Sequence, residues 1–197
     1  MTDVRASDAR ERVLNVAERL FSERGYTAVT LRDIAAELGM RQASLYHHAP
    51  GGKEQLYVDV TERGLARHQR ELERAISAAG PDMHQQLSAV GDWLFSQPPI
   101  NLARMTRSDL PALSPAHAER LSQALYQATL AVLERIFSEA GIDRPHPTLL
   151  AGAFLSIVES IHYAQRYTSM SREEMLQAMI EVLLHGLQPD ASASRRA

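Results

Sequence analysis

The stretch from residue 30 to residue 53 combines the side-chain types that nucleic-acid recognition needs. It reads TLRDIAAELGMRQASLYHHAPGGK. Arg41 carries a forked guanidinium that matches guanine in the major groove, and the amide of Gln42 matches adenine. No acidic residue occurs over residues 38–53, so DNA phosphates would meet no carboxylate there, and Lys53 adds a cation. The pattern favours a DNA-facing surface, and the alternative is a core helical hairpin whose tip is incidentally basic.

Two short helices with a tight turn between them must position these side chains. Thr30 and Asp33 have the spacing of a capping box, which starts a helix. Gly39 ends that helix, because glycine readily adopts the left-handed backbone that closes many helices. A second helix is anchored by Leu45 and stopped at Pro50 and the glycines after it. Helix, turn and helix at this length suit a helix-turn-helix that reads DNA.

Residues 1–60 resemble the DNA-binding domain of TetR-type transcriptional repressors. The matching segments are VLNVAERLFSERGYTAVTLRDIAAELGM and SLYHHAPGGKEQLY. The chain departs from the family pattern at Ala49, where phenylalanine is usual, and at Gly51-Gly52, which is one residue longer than usual. Arg41 also stands where a small capping residue is often found, which predicts a weak helix cap.

Seven polar side chains of this segment are predicted to contact DNA. Phosphate would be bound by Thr30, Ser44, Tyr46 and Lys53. Bases would be read by Arg41, Gln42 and His47. Two such heads in one dimer would enter successive major grooves on one face of a near-palindromic operator in double-stranded DNA. The resemblance therefore implies a ligand-responsive transcriptional regulator, most simply a repressor.

Composition sets limits on the class of protein. The chain of 197 residues has no cysteine, which excludes disulfides and thiolate chemistry and fits a reducing cytoplasm. The N-terminal segment has no apolar run of the kind found in signal peptides, and no apolar stretch approaches the ~20 residues needed to span a bilayer. Glycine-rich phosphate loops and the G-x-S-x-G motif are absent from the sequence. We therefore predict a cytoplasmic protein that is not an enzyme, with no catalytic residues, no cofactor and no membrane partner.

The hydrophobic periodicity predicts an all-α protein of nine helices in two parts. The first part is an N-terminal three-helix DNA-binding head over residues 1–52, whose first helix runs from about residue 7 to residue 24. The resemblance implies that the second part, over residues 53–190, is a helical ligand-binding and dimerisation body, and residues 191–197 are predicted to form a disordered tail. Helices of the body are predicted over 53–79, 83–96, 100–109, 115–140, 148–167 and 171–186.

The last two predicted helices are apolar over a wide arc, which indicates that they bury surface on two fronts. The resemblance implies that one front is a four-helix interface between two copies of the chain. The predicted interface residues are Phe154, Ile157, Ile161, Met179, Ile180 and Leu183. The alternative is an intramolecular core.

The body also contains apolar and aromatic side chains with a few polar groups among them, a composition typical of small-molecule pockets. The predicted ligand-binding residues are Trp93, Phe95, Leu102, Met105, Leu125, Tyr126, Phe154, Val158, Glu159, His162 and Tyr163. Such a lining suits a small apolar or amphipathic effector, because a highly charged ligand would be left with unpaired groups. Plain core packing is the alternative, and the hypothesis of a pocket rests on the family resemblance.

A different class of protein would use Glu159 and His162. Their spacing of three residues on a helix occurs in di-iron carboxylate bundles, which need the motif twice and further glutamates. The motif occurs once in its helix and no acidic cluster lies nearby, so we predict no metal site. A helical-bundle metal protein or enzyme remains the alternative hypothesis for function.

Overall fold

The computed structural model describes residues 2–97 and 102–186, with side chains from residue 8 onward. Every regular element in these ranges is a helix, and the predicted all-α fold is confirmed. The α-helices are α1 (Thr2–Arg24), α2 (Leu31–Glu37), α3 (Gln42–Leu45), α4 (Gly52–Ala79), α5 (Met83–Ser96), α6 (Leu102–Arg104), α7 (Pro115–Ala128), α8 (Leu130–Glu139), α9 (Pro147–Ala164) and α10 (Arg172–His185). The short α6 continues as a π-helical turn, Met105–Asp109, and a 3-10 turn, Leu110–Ala112. The predicted tail over 191–197 lies outside the described residues.

The helix predicted over residues 115–140 is interrupted at Thr129. This residue has φ −125° and ψ −78°, outside the helical region, so α7 ends before it and α8 begins after it. Neither proline nor glycine marks the break, which is why the apolar periodicity runs through it unchanged. Counted as one bent helix, α7 and α8 complete the predicted set of nine within the described residues.

Two compact units make up the chain. The first unit contains residues 1–68 and 100–126, which bring together α1 to α3, the first part of α4, and the segment from α6 into α7. Its core includes the buried apolar faces of α1 and α2, the anchor Leu45, and three residues from far along the chain, namely Leu110, Leu113 and Leu121. The helix-turn-helix therefore shares one hydrophobic core with a segment well beyond residue 52.

Ion pairs on the outside of the first unit join α1 to α4. The guanidinium of Arg63 lies 2.7 Å from the carboxylate of Glu18 and 2.9 Å from that of Glu11. Arg67 also pairs with Glu18. Burial raises the pKa of Glu18, but the two arginines outweigh it and hold this pKa below its ordinary value.

The second unit contains residues 69–99 and 127–197 and is built from the end of α4 with α5, α8, α9 and α10. Helices α5 and α10 approach each other closely at Gly91, where an added Cβ would lie only 2.4 Å from the buried side chain of Leu176. Ser171 and Glu174 form the predicted capping box at the start of α10, with reciprocal bonds of 2.7 and 3.1 Å. No helix of the described ranges is long and apolar enough to cross a membrane.

Candidate nucleic-acid interface

The capping box that starts α2 is present. The Thr30 hydroxyl accepts a bond of 3.2 Å from the backbone N–H of Asp33, and the backbone N–H of Thr30 donates to the Asp33 carboxylate at 2.8 Å. The same hydroxyl donates to this carboxylate at 2.7 Å, and these bonds lower the pKa of Asp33. Because the hydroxyl proton is already engaged, Thr30 would have to exchange this bond to donate to phosphate.

A Schellman motif closes α2 and sets the direction of the turn. The N–H of Met40 bonds to the carbonyl of Ala35 at 2.9 Å, and the N–H of Gly39 bonds to the carbonyl of Ala36 at 3.1 Å. Gly39 has φ +64°, where a Cβ would cost energy. The glycine therefore ends α2 as predicted and leaves only a short turn before α3.

Helix α3 is held by one buried side chain and exposes the rest. Leu45 is completely buried in the core of the first unit. Arg41 precedes the helix and its side chain makes no capping bond, as its residue type predicted. The exposed side chains are those of Arg41, Gln42, Ser44, Tyr46 and His47. One anchor with polar neighbours gives a helix that can lie in a groove with its side chains free to reach the nucleic acid.

Lys53 occupies a more enclosed position than the other predicted contacts. Its ammonium lies 4.1 Å from the centroid of the Tyr26 ring, over the ring face. Burial lowers the pKa of Lys53, while the carboxylates of Asp109 and Asp33 act in the opposite direction. The structure thus places Lys53 at the start of α4, just after the recognition helix, with an aromatic platform beneath it.

Two arginines near this surface were not among the predicted contacts. Arg24 and Arg32 both lie close enough to Asp33 to help lower the pKa of its carboxyl, and both are exposed. Both arginines lie close to acidic residues in the sequence and outside the acid-free segment. The DNA contacts were predicted mainly from that segment, so these two arginines were missed. They add positive charge beside the N-terminus of α2.

The acidic residues that flank the acid-free window are paired. Glu37 forms an ion pair with Arg19. Glu54 accepts a bond of 2.7 Å from the backbone N–H of Ser114 and lies 2.7 Å from Nδ1 of His117. Hydrogen bonds from these two residues lower the pKa of Glu54 to about 2. The stabilisation that these hydrogen bonds give the folded protein is therefore complete above pH 4.5, the ordinary pKa of a glutamate. It is lost as the pH falls towards 2.

The Glu54, Ser114 and His117 cluster is a helix cap and not a catalytic relay. Ser114 Oγ lies 3.1 Å from Nδ1 of His117, the same nitrogen that faces Glu54. A nucleophilic relay needs the serine and the acid on opposite ring nitrogens. The Ser114 carbonyl instead accepts the N–H of Ala118 at 2.9 Å in the first turn of α7.

A buried carboxylate fixes the turn between α1 and α2. Asp109 is only 1% exposed, and its Oδ1 accepts the backbone N–H of Tyr26 at 2.9 Å. Gly25 precedes this residue with φ +85°, and an added Cβ there would lie 3.0 Å from Oδ1 of Asp109. The glycine is therefore required both by its backbone conformation and by the closeness of the carboxylate.

Arg104 completes this anchor. Its Nε lies 3.4 Å from Oδ2 of Asp109, and its terminal nitrogens donate to the last carbonyls of α1, including that of Ser22 at 2.7 Å. A cation at the C-terminal end of a helix satisfies carbonyls that have no partner within the helix and suits the helix dipole. No role for Arg104 or Asp109 could be predicted from the sequence, since neither belongs to a recognised motif.

The predicted ligand-binding residues are distributed over both units. The first unit holds Leu102, Met105, Leu125 and Tyr126, and the second holds Trp93, Phe95, Phe154, Val158, Glu159, His162 and Tyr163. Within the second unit the rings of Phe95 and His162 lie 5.6 Å apart. Phe154 and Val158 are buried, but Glu159 and Tyr163 are exposed, so these last two do not face the core with the others.

The predicted interface residues differ in how far they are buried within the single chain. Phe154, Ile161 and Ile180 are at most 4% exposed within a single chain, because they form the core of the second unit. They have almost no surface left for a partner subunit. Ile157 and Leu183 are partly buried, and Met179 is 36% exposed. Helices α9 and α10 also expose apolar residues that the prediction omitted, namely Leu149, Tyr163 and Val182.

The residues of the alternative metal hypothesis are not part of a larger ligand cluster. Glu159 is exposed on α9, and His162 contacts the Phe95 ring. Over residues 2–97 and 102–186 no group of three or more histidine or acidic side chains is placed to hold a metal ion.

Helices α2 and α3 form a helix-turn-helix whose second helix is exposed, and comparison with known proteins shows what the chain resembles. Residues 13–60 match the family model for bacterial regulatory proteins of the tetR family. The HTH-type transcriptional regulator LmrA of Bacillus subtilis is 48% identical over 53 residues, which are 27% of this chain and 28% of LmrA. An HTH-type transcriptional repressor of Mycobacterium tuberculosis is 32% identical over 133 residues, covering 64% of this chain and 65% of that repressor.

The likeness extends through the whole fold. The crystal structure of the TetR family transcriptional regulator PfmR from Thermus thermophilus aligns with a TM-score of 0.57 and 27% identity, covering 90% of this chain and all of PfmR. Residues 13–60 are thus similar to the tetR family model, and the fold of the chain is similar to that of a TetR family regulator. In the match with LmrA the chain spans only 28% of the length of that regulator.

The Asp109 anchor predicts a loss of stability on Asp109→Ala. The substitution leaves a backbone N–H unpaired at Tyr26 and removes the carboxylate beside Arg104, so the free energy of unfolding should fall by about 1–3 kcal/mol. Urea unfolding at one fixed protein concentration measures the change. The exposed Asp143 provides the control, since Asp143→Ala should alter stability by less than ~0.5 kcal/mol. Equal effects of the two substitutions would contradict the anchor.

Proposed function

We propose that this protein is a ligand-responsive transcriptional repressor that binds operator DNA as a homodimer. The observation that carries the proposal is the recognition helix α3, which one buried residue, Leu45, anchors while its polar, acid-free surface stays exposed. The match of residues 13–60 to the tetR family model supports it, as do the relatives named as regulators and repressors. The protein would act in the cytoplasm, where it can reach chromosomal DNA.

The head would divide its contacts between bases and phosphates. Arg41, Gln42 and His47 are exposed at and after the start of α3 and would reach base edges in the major groove. Phosphate would be bound by Ser44, Tyr46, Lys53 and Thr30, with Arg32 as an added candidate. Because phosphate contacts do not depend on sequence, the two groups should respond differently to a change of DNA sequence.

The dimer would form through the outer faces of α9 and α10. Leu149 and Tyr163 on α9 and Val182 on α10 are each 65% exposed, so their side chains are available to a partner subunit. Between Leu149 and Tyr163, α9 carries the small exposed residues Ser156 and Ser160, which would let a partner helix approach closely. The hydroxyls of Ser156 and Ser160 are satisfied by carbonyls one turn earlier, at 2.9 and 2.7 Å, so an apolar partner would leave neither donor unpaired.

An effector bound in the body would favour a spacing of the two heads that does not fit the operator. It can do so only as far as it binds that state more tightly than the DNA-bound state. Apolar and aromatic side chains such as Trp93, Phe95 and Phe154 favour an apolar or amphipathic organic effector.

The DNA-binding proposal predicts different outcomes for Gln42→Ala and Lys53→Ala. Loss of Gln42 should weaken binding to the cognate operator by roughly 1–3 kcal/mol and affect unrelated DNA less. Loss of Lys53 should weaken binding to both DNAs about equally and lower the slope of affinity against salt by about one. Fluorescence anisotropy with both duplexes at several salt concentrations measures these effects. If Gln42→Ala weakens binding to both DNAs equally, Gln42 contacts phosphate and does not read bases.

The proposed interface predicts that Val182→Glu yields a folded monomer. The substituted carboxylate would be buried without a partner in the dimer but would remain in water in the monomer. Light scattering should show half the wild-type mass, and circular dichroism should be unchanged. The control Ser122→Glu, at an exposed position of α7, should leave the dimer intact. A Val182→Glu protein that stays dimeric at micromolar concentration would refute the interface.

The proposed effector class predicts that apolar compounds change the emission of Trp93, the only tryptophan. The same compounds should reduce operator affinity over the same concentration range, and operator DNA should weaken the compound's binding by the same factor, because coupling is reciprocal. Trp93→Phe supplies the control, since it should remove the emission change and keep the loss of DNA binding. If no compound of a broad apolar library alters either signal, the effector proposal fails and DNA binding is unaffected.

A further inference from the structure

Lys53 is the only lysine of the chain, and its surroundings restrict where its charge can lie. Its ammonium sits 4.1 Å from the centroid of the Tyr26 ring, a distance at which the negative ring face attracts a cation. A free lysine side chain would sample many rotamers and would lose that freedom on binding phosphate. A lysine already held in place loses less entropy on binding.

The ring beneath Lys53 is itself fixed on more than one side. Its centroid lies 5.0 Å from that of Tyr57, which is buried in the core of the first unit. It also lies 6.4 Å from that of Phe21 near the end of α1. The backbone N–H of Tyr26 is bound to the buried carboxylate of Asp109 at 2.9 Å. Ring packing and this backbone bond together hold the platform in one position.

We propose that Tyr26 is a positioning residue for DNA binding, which holds the ammonium of Lys53 ready for phosphate without touching the DNA itself. The inference rests on the proposed DNA-binding function and adds a residue that neither the motif nor the exposed surface of α3 assigns. Tyr26 is partly buried and belongs to the packing of the first unit, so simple exposure would not identify it. Its effect on affinity passes through Lys53, and the two residues should therefore be energetically coupled.

The first measurement uses the protein without DNA. Isotopic labelling of lysine gives the signals of a single side chain, because the chain has one lysine. In the wild type the Cε protons of Lys53 should be shifted upfield by the Tyr26 ring current. Tyr26→Phe should keep this shift, and Tyr26→Leu should remove it while the remaining spectrum stays folded. If the Lys53 signals of Tyr26→Leu match the wild type, the ring does not hold the ammonium and the proposal is wrong.

The second measurement is a double-mutant cycle on operator affinity. Tyr26→Leu should weaken binding roughly 3- to 10-fold, and Tyr26→Phe should stay within about 2-fold of the wild type. In the Lys53→Ala background, Tyr26→Leu should have almost no further effect, because the side chain that it positions is gone. Tyr26→Leu should also lower the salt slope towards that of Lys53→Ala.

Tyr46→Leu is the matched control for the cycle. Tyr46 is 48% exposed beside α3 and would contact phosphate independently of Lys53, so its loss should add to that of Lys53→Ala. If the loss from Tyr26→Leu is equally additive, Tyr26 has only a structural role and the proposal is overturned. A ring-current shift in a protein that shows no salt-dependent DNA binding would instead reject the DNA-binding function, and the Tyr26 contact would then be packing alone.

Discussion

The pairing of the buried Asp109 carboxylate is the interaction on which the DNA-binding head depends. A carboxylate that is 1% exposed must be hydrogen-bonded or ion-paired, since burying an unpaired charge is very costly. Its partners are the backbone N–H of Tyr26, in the turn between α1 and α2, and Arg104, which also binds the last carbonyls of α1. A change in the backbone over residues 104–109 would therefore either break these bonds or move the turn between α1 and α2.

The π-helical turn explains how Arg104 and Asp109 come together. In a π-helix the hydrogen bonds join residues five apart, as in the bond from Leu110 to Met105, so residues at this spacing lie close to one another along the same side. In a regular α-helix the same spacing would place them on different faces. The departure from α geometry thus aligns the guanidinium and the carboxylate towards the end of α1. Nothing in the local sequence pattern indicated it.

Several elements that follow from local chemistry were predicted from the sequence, although α1 begins at Thr2 and not near residue 7. The capping boxes at Thr30 and Ser171 and the glycine stop at Gly39 depend on neighbouring residues only, and all are present. Features that depend on distant contacts were missed. The break at Thr129 has no local signal, and the roles of Arg104 and Asp109 require knowledge of which segments meet.

The prediction of the dimer interface was limited in the same way, because it also depends on contacts between distant segments. Apolar residues around most of α9 indicated correctly that the helix contacts more than one neighbour. Periodicity does not say which apolar side faces the chain's own core. The assignment therefore mixed Phe154, which is fully buried within one chain, with Met179, which is exposed. The packing of α5, α8 and α10 around α9, and of α5 against α10, decides between them.

Hydroxyl-radical footprinting of the protein on the DNA upstream of its own gene tests the central claim most directly. A dimer with two helix-turn-helix heads should protect two short segments on one face of the duplex, about one helical turn or a multiple of it apart. The protected sequences should be related by an approximate two-fold axis. Uniform weak protection along the whole fragment, or none at concentrations where the protein is dimeric, would contradict the assignment as a sequence-specific repressor.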